Sequence, residues 1–216
     1  MKRKTIFYTL FFVVLFTGFY YAMKVMIPGY ADVKLPVLSY VKPFRFTSQD
    51  NQPVTLADLR GKVYVAEYFF TTCKGICPKL NSNMKTLYAD LKNEPDFMIV
   101  SHTVDPETDS PVRLKVYADS LGVSSSRWLF LTGSKDSLYK AARVSYLLDD
   151  PRNGNDKIEN QFIHTQFFAL VDRNGRVRKI YDGLKKDELD QLEKDVPALL
   201  KESTSSGNNM FSNNPG

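Results

Sequence analysis

An uncharged run from residue 5 to residue 23, TIFYTLFFVVLFTGFYYAM, constrains this 216-residue chain more than any other feature. In hydrocarbon every backbone amide must find its partner within the segment, so a lone apolar run of this kind has only the helix open to it. As a helix it would be about 28 Å long, close to the roughly 30 Å apolar core of a bilayer. A cleaved export signal usually has a shorter apolar region ending in small residues, and Phe19, Tyr20, Tyr21 and Met23 are bulky. Residues 1–24 are therefore expected to be a retained membrane anchor. Lys2, Arg3 and Lys4 would stay on the cytoplasmic side, with Tyr20 and Tyr21 at the far interface. All that follows would then lie outside the cytoplasm, in the periplasm if the cell has two membranes.

The net charge of +5 does not indicate a nucleic-acid binder. Residues 1–24 hold four of the 29 basic residues and no acid, which leaves 25 basic against 24 acidic residues elsewhere. A basic face for phosphate is missing, and no nucleic-acid partner is expected.

Beyond a spacer at 25–40, the pattern predicts one α/β domain over 41–201 and a disordered tail at 202–216. Phe44–Thr47 and Val54–Leu56 flank a polar turn and suggest a hairpin. Val63–Phe70 is β-branched and aromatic, as a buried strand requires. Leu80, Met84, Leu87 and Leu91 mark one face of a helix. Strands at Phe97–Val104 and Trp128–Leu131 alternate with helices opened by Ser110-Pro111 and by Ser134, the latter running to about Leu148. A polar loop spans 149–161, Asn174-Gly175 turns a second hairpin, and Leu189, Leu192, Val196 and Leu199 line a last helix. This order predicts a thioredoxin-like central sheet flanked by helices, preceded by one transmembrane helix.

The chain's two cysteines, Cys73 and Cys77, stand four apart where the first long strand meets its helix. A helical turn starting near Cys73 would bring both sulfurs to one face, where they could form a redox-active disulfide or hold a soft metal. The helix dipole and Lys74 favour thiolate, which both chemistries need. Thiolates alone do not choose between zinc and Cu(I). A third donor narrows the choice, and His164, where the polar loop enters a strand, is the candidate. His102, the only other histidine, ends a strand and is undecided. Asp105 and Asp109 could orient the site from behind its ligands or serve as turn and cap residues.

Thr72-Cys-Lys-Gly-Ile-Cys-Pro78, Thr103-Val-Asp-Pro-Glu-Thr-Asp-Ser-Pro111, and His164 ahead of Phe168–Gly175 and Tyr181-Asp-Gly183 resemble the Sco/SenC family of copper chaperones for cytochrome c oxidase. The likeness spans about residues 40–200 together with the anchor. It implies a thioredoxin fold, copper held as Cu(I) or Cu(II) by Cys73, Cys77 and His164, and delivery of that copper to the copper-accepting subunit of the oxidase. This chain departs from the family at Lys74, where members often carry a proline followed by an acid, and at Thr71-Thr72. The expected role is metal delivery rather than enzymatic turnover. The alternative is an extracytoplasmic thiol-disulfide oxidoreductase acting on the oxidase subunit's cysteines.

Overall fold

The computed structural model describes residues 2–26, 35–155 and 157–202. Half of the spacer, residues 27–34, and the tail from 203 onward lie outside the described residues. Two compact units emerge, Met1–Leu35 and Pro36–Gly216.

The first unit contains helix α1, Lys2–Met26. Its span Arg3–Met23 is long and apolar enough to cross a membrane once. Phe7, Phe12 and Phe16 are among the large apolar side chains it leaves exposed.

The second unit is an eight-stranded mixed sheet in the order β1-β8-β7-β4-β5-β6-β2-β3. Its centre is β4 (Val63–Phe69), parallel to β5 (Phe97–Thr103), which is parallel to β6 (Trp128–Thr132). All residues of β4 and β5 are buried, which is why the strands read as near-continuous apolar runs. The antiparallel hairpin β7 (Phe167–Val171) and β8 (Arg176–Asp182) joins β4 through Tyr64↔Val171 and Ala66↔Ala169. Its turn needs a left-handed residue, and Gly175 supplies it at φ 72°. On the other side the hairpin β2 (Arg45–Ser48) and β3 (Pro53–Thr55) pairs with β6. A short strand β1 (Ser39–Tyr40), within the stretch read as spacer, pairs with β8.

Alternation along β4 sends Tyr64, Ala66 and Tyr68 to one face, where they join Leu138, Tyr139, Ala142 and Tyr146 in a core. Helix α4 (Lys135–Lys140) supplies the first two. Where periodicity suggested a continuous helix to about Leu148, the chain instead widens into a π-helical segment, Ala141–Tyr146, ended by Leu147 at φ 57°. Tyr146 is thereby packed against Tyr64, Tyr68 and His102.

On the opposite face, Tyr117 of α3 (Pro111–Leu121) packs against Phe69 and Phe130. Ser110 caps this helix through Arg113 N, and Gly122 ends it at φ 69°. Helix α2 (Cys77–Leu91) buries the expected Leu80, Met84, Leu87 and Leu91, and helix α5 (Lys186–Lys201) buries Leu192, Val196 and Leu199. Each such side chain contributes about 1.5–3 kcal/mol on leaving water.

Candidate metal and redox site

Parallel β4 and β5 end at the same edge of the sheet, and β7 starts there because it runs antiparallel to β4. Continuing the β4–β7 register places the residues ahead of Phe167 beyond Phe69. The topology thus delivers three segments to one edge: the cysteine turn after β4, the Val104–Asp109 loop after β5, and the approach to β7 that carries His164. Open α/β sheets bind ligands at this carboxyl edge.

Cys73 follows a turn at Thr71-Thr72, and its amide donates to the Phe70 carbonyl at 3.2 Å. Helix α2 begins only at Cys77, with Pro78 in its first turn. The helical turn expected from Cys73 does not form, and Cys73–Ile76 is irregular. This segment contains Gly75, and Pro78 fits the first helical turn because no amide donor is needed there. The two cysteines still meet, joined as a disulfide with Cα atoms 5.9 Å apart. Cys77 is buried while Cys73 is half-buried, so Cys73 is the sulfur an incoming group reaches. Cys77 stands at the helix N-terminus, where the dipole stabilises a thiolate released by reduction.

Asp109 is fully buried and holds this turn in place. Its carboxylate accepts from Thr71 N at 3.1 Å, Thr71 Oγ1 at 2.5 Å and Thr103 Oγ1 at 2.5 Å. Arg113 Nε donates to the same Thr71 hydroxyl at 2.7 Å and lies 3.8 Å from the carboxylate. Thr71, the first of the two threonines that depart from the family pattern, is therefore the grip by which the second loop holds the first. Asp105 serves its own turn instead: its carbonyl accepts from Asp109 N at 2.8 Å, and its amide donates to Thr103 Oγ1 at 3.0 Å.

His164 is exposed just before β7. Its ring lies 4.9 Å from Phe162 and 6.1 Å, edge-on, from Phe70, while Phe70 and Phe162 pack at 5.0 Å. Phe70 therefore touches both parts of the site, His164 through its ring and Cys73 through its carbonyl. In this disulfide form, no group of three His, Cys, Asp or Glu side chains among the described residues is gathered closely enough to hold a metal. The cysteines and His164 share an edge of the sheet without converging.

His102 is a core residue. It is fully buried, stacked on Tyr68 at 5.0 Å and flanked by Phe46 and Tyr146 at 5.6 and 5.1 Å. Loss of water around it pushes its pKa down to about 4, so the ring is neutral at physiological pH.

Sequence reasoning missed Glu67. Buried at 2% exposure in the middle of β4, it accepts from Ser101 Oγ at 2.5 Å, and Ser101 in turn accepts from Trp128 Nε1 at 2.8 Å. Burial pushes its pKa up to about 7 against the opposing pull of that hydrogen bond. The available signal was an acid inside an otherwise apolar, β-branched strand.

Comparison with known proteins agrees with this architecture. The SCO1/SenC family matches residues 35–201. A SCO1 protein homolog of Bacillus subtilis is 37% identical over 172 residues, covering 78% of this chain and 86% of the relative. Among solved structures, a SCO1/SenC family lipoprotein from Bacillus anthracis is 34% identical with a TM-score of 0.66, over 77% of this chain and 99% of that one. BsSco, a member of the Sco family of cytochrome c oxidase assembly proteins with a disulfide switch, is likewise 34% identical with a TM-score of 0.66, over 79% and 99%. Yeast Sco1 with copper bound is 25% identical with a TM-score of 0.56, over 74% and 94%.

Proposed function

Since the chain belongs to the SCO1/SenC family, we propose that it is a membrane-anchored copper carrier for cytochrome c oxidase assembly. Cys73, Cys77 and His164 would be its copper ligands. The observation that carries this reading is the meeting of the only two cysteines at the sheet edge to which β7 also brings His164. Copper is the cargo. Two thiolates and an imidazole form a donor set that suits Cu(I) and, with a further donor, Cu(II). The disulfide must first take up two electrons, and His164 must move from its place beside Phe70 and Phe162 toward the freed sulfurs. Asp109 would keep the turn of Cys73 in place while His164, at the end of a loop, supplies the movement.

The test is a copper titration of the reduced chain. One equivalent should bind, and the Cu(II) form should display sulfur-to-copper charge transfer that is absent from Cys73→Ser and from Cys77→Ser. A spectrum unchanged by both substitutions would remove the cysteines from the site.

Helix α1 would hold the carrier at the membrane, with the second unit on the extracytoplasmic side. The cationic start of the chain and the apolar span Arg3–Met23 support this orientation. Carbonate extraction should leave the full chain in the membrane fraction. Protease added to the outer face should digest the second unit, and a soluble mature chain would contradict the anchor.

The same dithiol could exchange disulfides with a partner's cysteines, since Cys73 is accessible and Cys77 can leave as a thiolate. Such exchange needs no imidazole, so the two activities separate at His164.

A further inference from the structure

The second unit exposes ten large apolar side chains among the described residues, and five of them lie on two segments that touch. Val37, Leu38 and Tyr40 belong to the outermost strand, β1, and its approach, while Val144 and Leu147 stand either side of Ser145 at the end of the π-helical segment. Ser39 Oγ donates to the Ser145 carbonyl, and Lys42 N donates to Ser145 Oγ at 3.1 Å, which ties the two segments together. Strand alternation sends Val37 to the side of Ser39 and Ser145 and sends Leu38 and Tyr40 to the other, so apolar surface wraps the edge of the sheet. Tyr40 is 57% exposed and Val144 48%. Acids of the adjoining segments are engaged by arginines, Asp172 and Glu202 by Arg178 and Asp149 by Arg143. An apolar patch gathered in this way on a folded surface marks a contact with a protein or a membrane.

We propose that this edge rests on the outer surface of the bilayer in which α1 is anchored, with Tyr40 at the level of the lipid headgroups. The inference rests on the reading of α1 as a retained anchor and adds the face that the second unit turns to lipid. Chain connectivity selects lipid as the occupant. Only residues 27–34 separate α1 from Leu35, and eight extended residues reach at most about 30 Å, less than the roughly 40 Å breadth of a domain of this size. The tether ends two residues before Val37, so β1 is the part of the second unit that cannot leave the neighbourhood of the membrane. A tethered surface meets lipid at a high effective concentration, which lets a small apolar contact hold. Tyrosine suits the interface, since its ring enters the apolar layer while its hydroxyl stays wet. Lys42 and Lys140, exposed beside the patch, can meet headgroup phosphates. Strand β1 pairs with Arg176 and Val177 next to the turn of the β7–β8 hairpin, whereas Phe167 and Asp182 mark the hairpin's other end, toward the cysteines. Docking through β1 therefore turns Cys73 and His164 away from the lipid.

The test places the full chain in vesicles of equimolar phosphatidylcholine and phosphatidylglycerol, with and without bromine on the upper part of the acyl chains. Trp128, the only tryptophan of the chain, is fully buried, so a tryptophan added at the surface reports its own surroundings. The brominated lipid should quench Tyr40→Trp at least about threefold more than Val112→Trp, because an interfacial side chain sits at the boundary of headgroups and acyl chains. Val112, on α3 across the sheet, is 75% exposed and serves as the control. Adding Leu38→Glu and Val144→Glu to Tyr40→Trp should bring its quenching down to that of Val112→Trp. Both sites are exposed, so the fold is not at stake. Flotation of the vesicles is measured on the same preparation. A chain that floats with equal quenching of the two tryptophans would overturn the docking and leave the anchor standing, and a chain that does not float would overturn both. Protection of Tyr40→Trp from iodide without quenching by bromine would place a protein, such as a second copy, on the edge and would also overturn the proposal.

Discussion

Replacing His164 by alanine is expected to lower the affinity of the reduced chain for copper by about 100-fold or more. The floor follows from metal sites in general, where losing even a residue that only supports a ligand costs about 10–100-fold. Removing a ligand should cost at least the upper end. The side chain is exposed and in contact with Phe70 and Phe162 alone among aromatic rings, so the substitution leaves no cavity in the core. Cys73 and Cys77 should still cycle between dithiol and disulfide at near-normal rates, because thiolate attack requires no imidazole. His102→Ala is the matching control. It should weaken the fold, since it empties a site enclosed by Phe46, Tyr68 and Tyr146, yet leave copper affinity within a few fold in the molecules that remain folded. Competition with a calibrated copper chelator reads both variants. Equal affinity for His164→Ala and wild type would remove His164 from the ligand set.

The second large effect concerns Glu67 and pH. Its pKa is about 7 in the fold against an ordinary 4.5, so folding favours the protonated acid. For a carboxyl raised in this way, the sign is opposite to that of a salt-bridged Asp. Its stabilising preference is complete below pH 4.5 and is lost as pH rises toward 7, because the unfolded chain gains by ionising first. Holding the carboxyl protonated up to about pH 7 in the fold corresponds to about 3 kcal/mol. Glu67→Gln keeps an acceptor for the Ser101 hydroxyl and cannot ionise. The stability difference between variant and wild type should therefore widen in the variant's favour from pH 4.5 to above pH 7, by up to about 3 kcal/mol. Urea unfolding of the domain from Pro36 onward, in one redox state across that range, measures it. A difference that stays flat with pH would mean that Glu67 is ionised, or exposed, in the folded protein.

The sequence made the frame of this molecule legible because its signals were local. Ser110-Pro111, Gly122 and Asn174-Gly175 set their elements' ends through caps and turns, and the spacing of Leu80, Met84, Leu87 and Leu91 marked the buried side of α2. The start of α2 at Cys77 was less legible, because Pro78 fits a first helical turn without fixing how far upstream that turn begins. The π-helical widening at Ala141–Tyr146 carried no local signal, since its outcome is the packing of Tyr146 against residues far away in sequence. At the site, the cysteine pair was visible from its spacing. The grip of Asp109 on Thr71 and the position of His102 were not, because each depends on which face of which strand meets which loop. Glu67 stood in plain view as an acid in an apolar strand. Its meaning required the neighbours Ser101 and Trp128, which only the parallel pairing of β4, β5 and β6 brings together.

The measurement that bears most directly on the carrier reading is oxidase activity in cells whose own copy of this chain is replaced by His164→Ala, grown at limiting copper. The variant must first be shown to accumulate and to unfold at the wild-type temperature. Copper delivery through Cys73, Cys77 and His164 predicts that oxidase activity fails to recover and that added copper restores part of it. Full recovery at limiting copper would contradict the account and leave dithiol exchange by Cys73 and Cys77 as the chain's role.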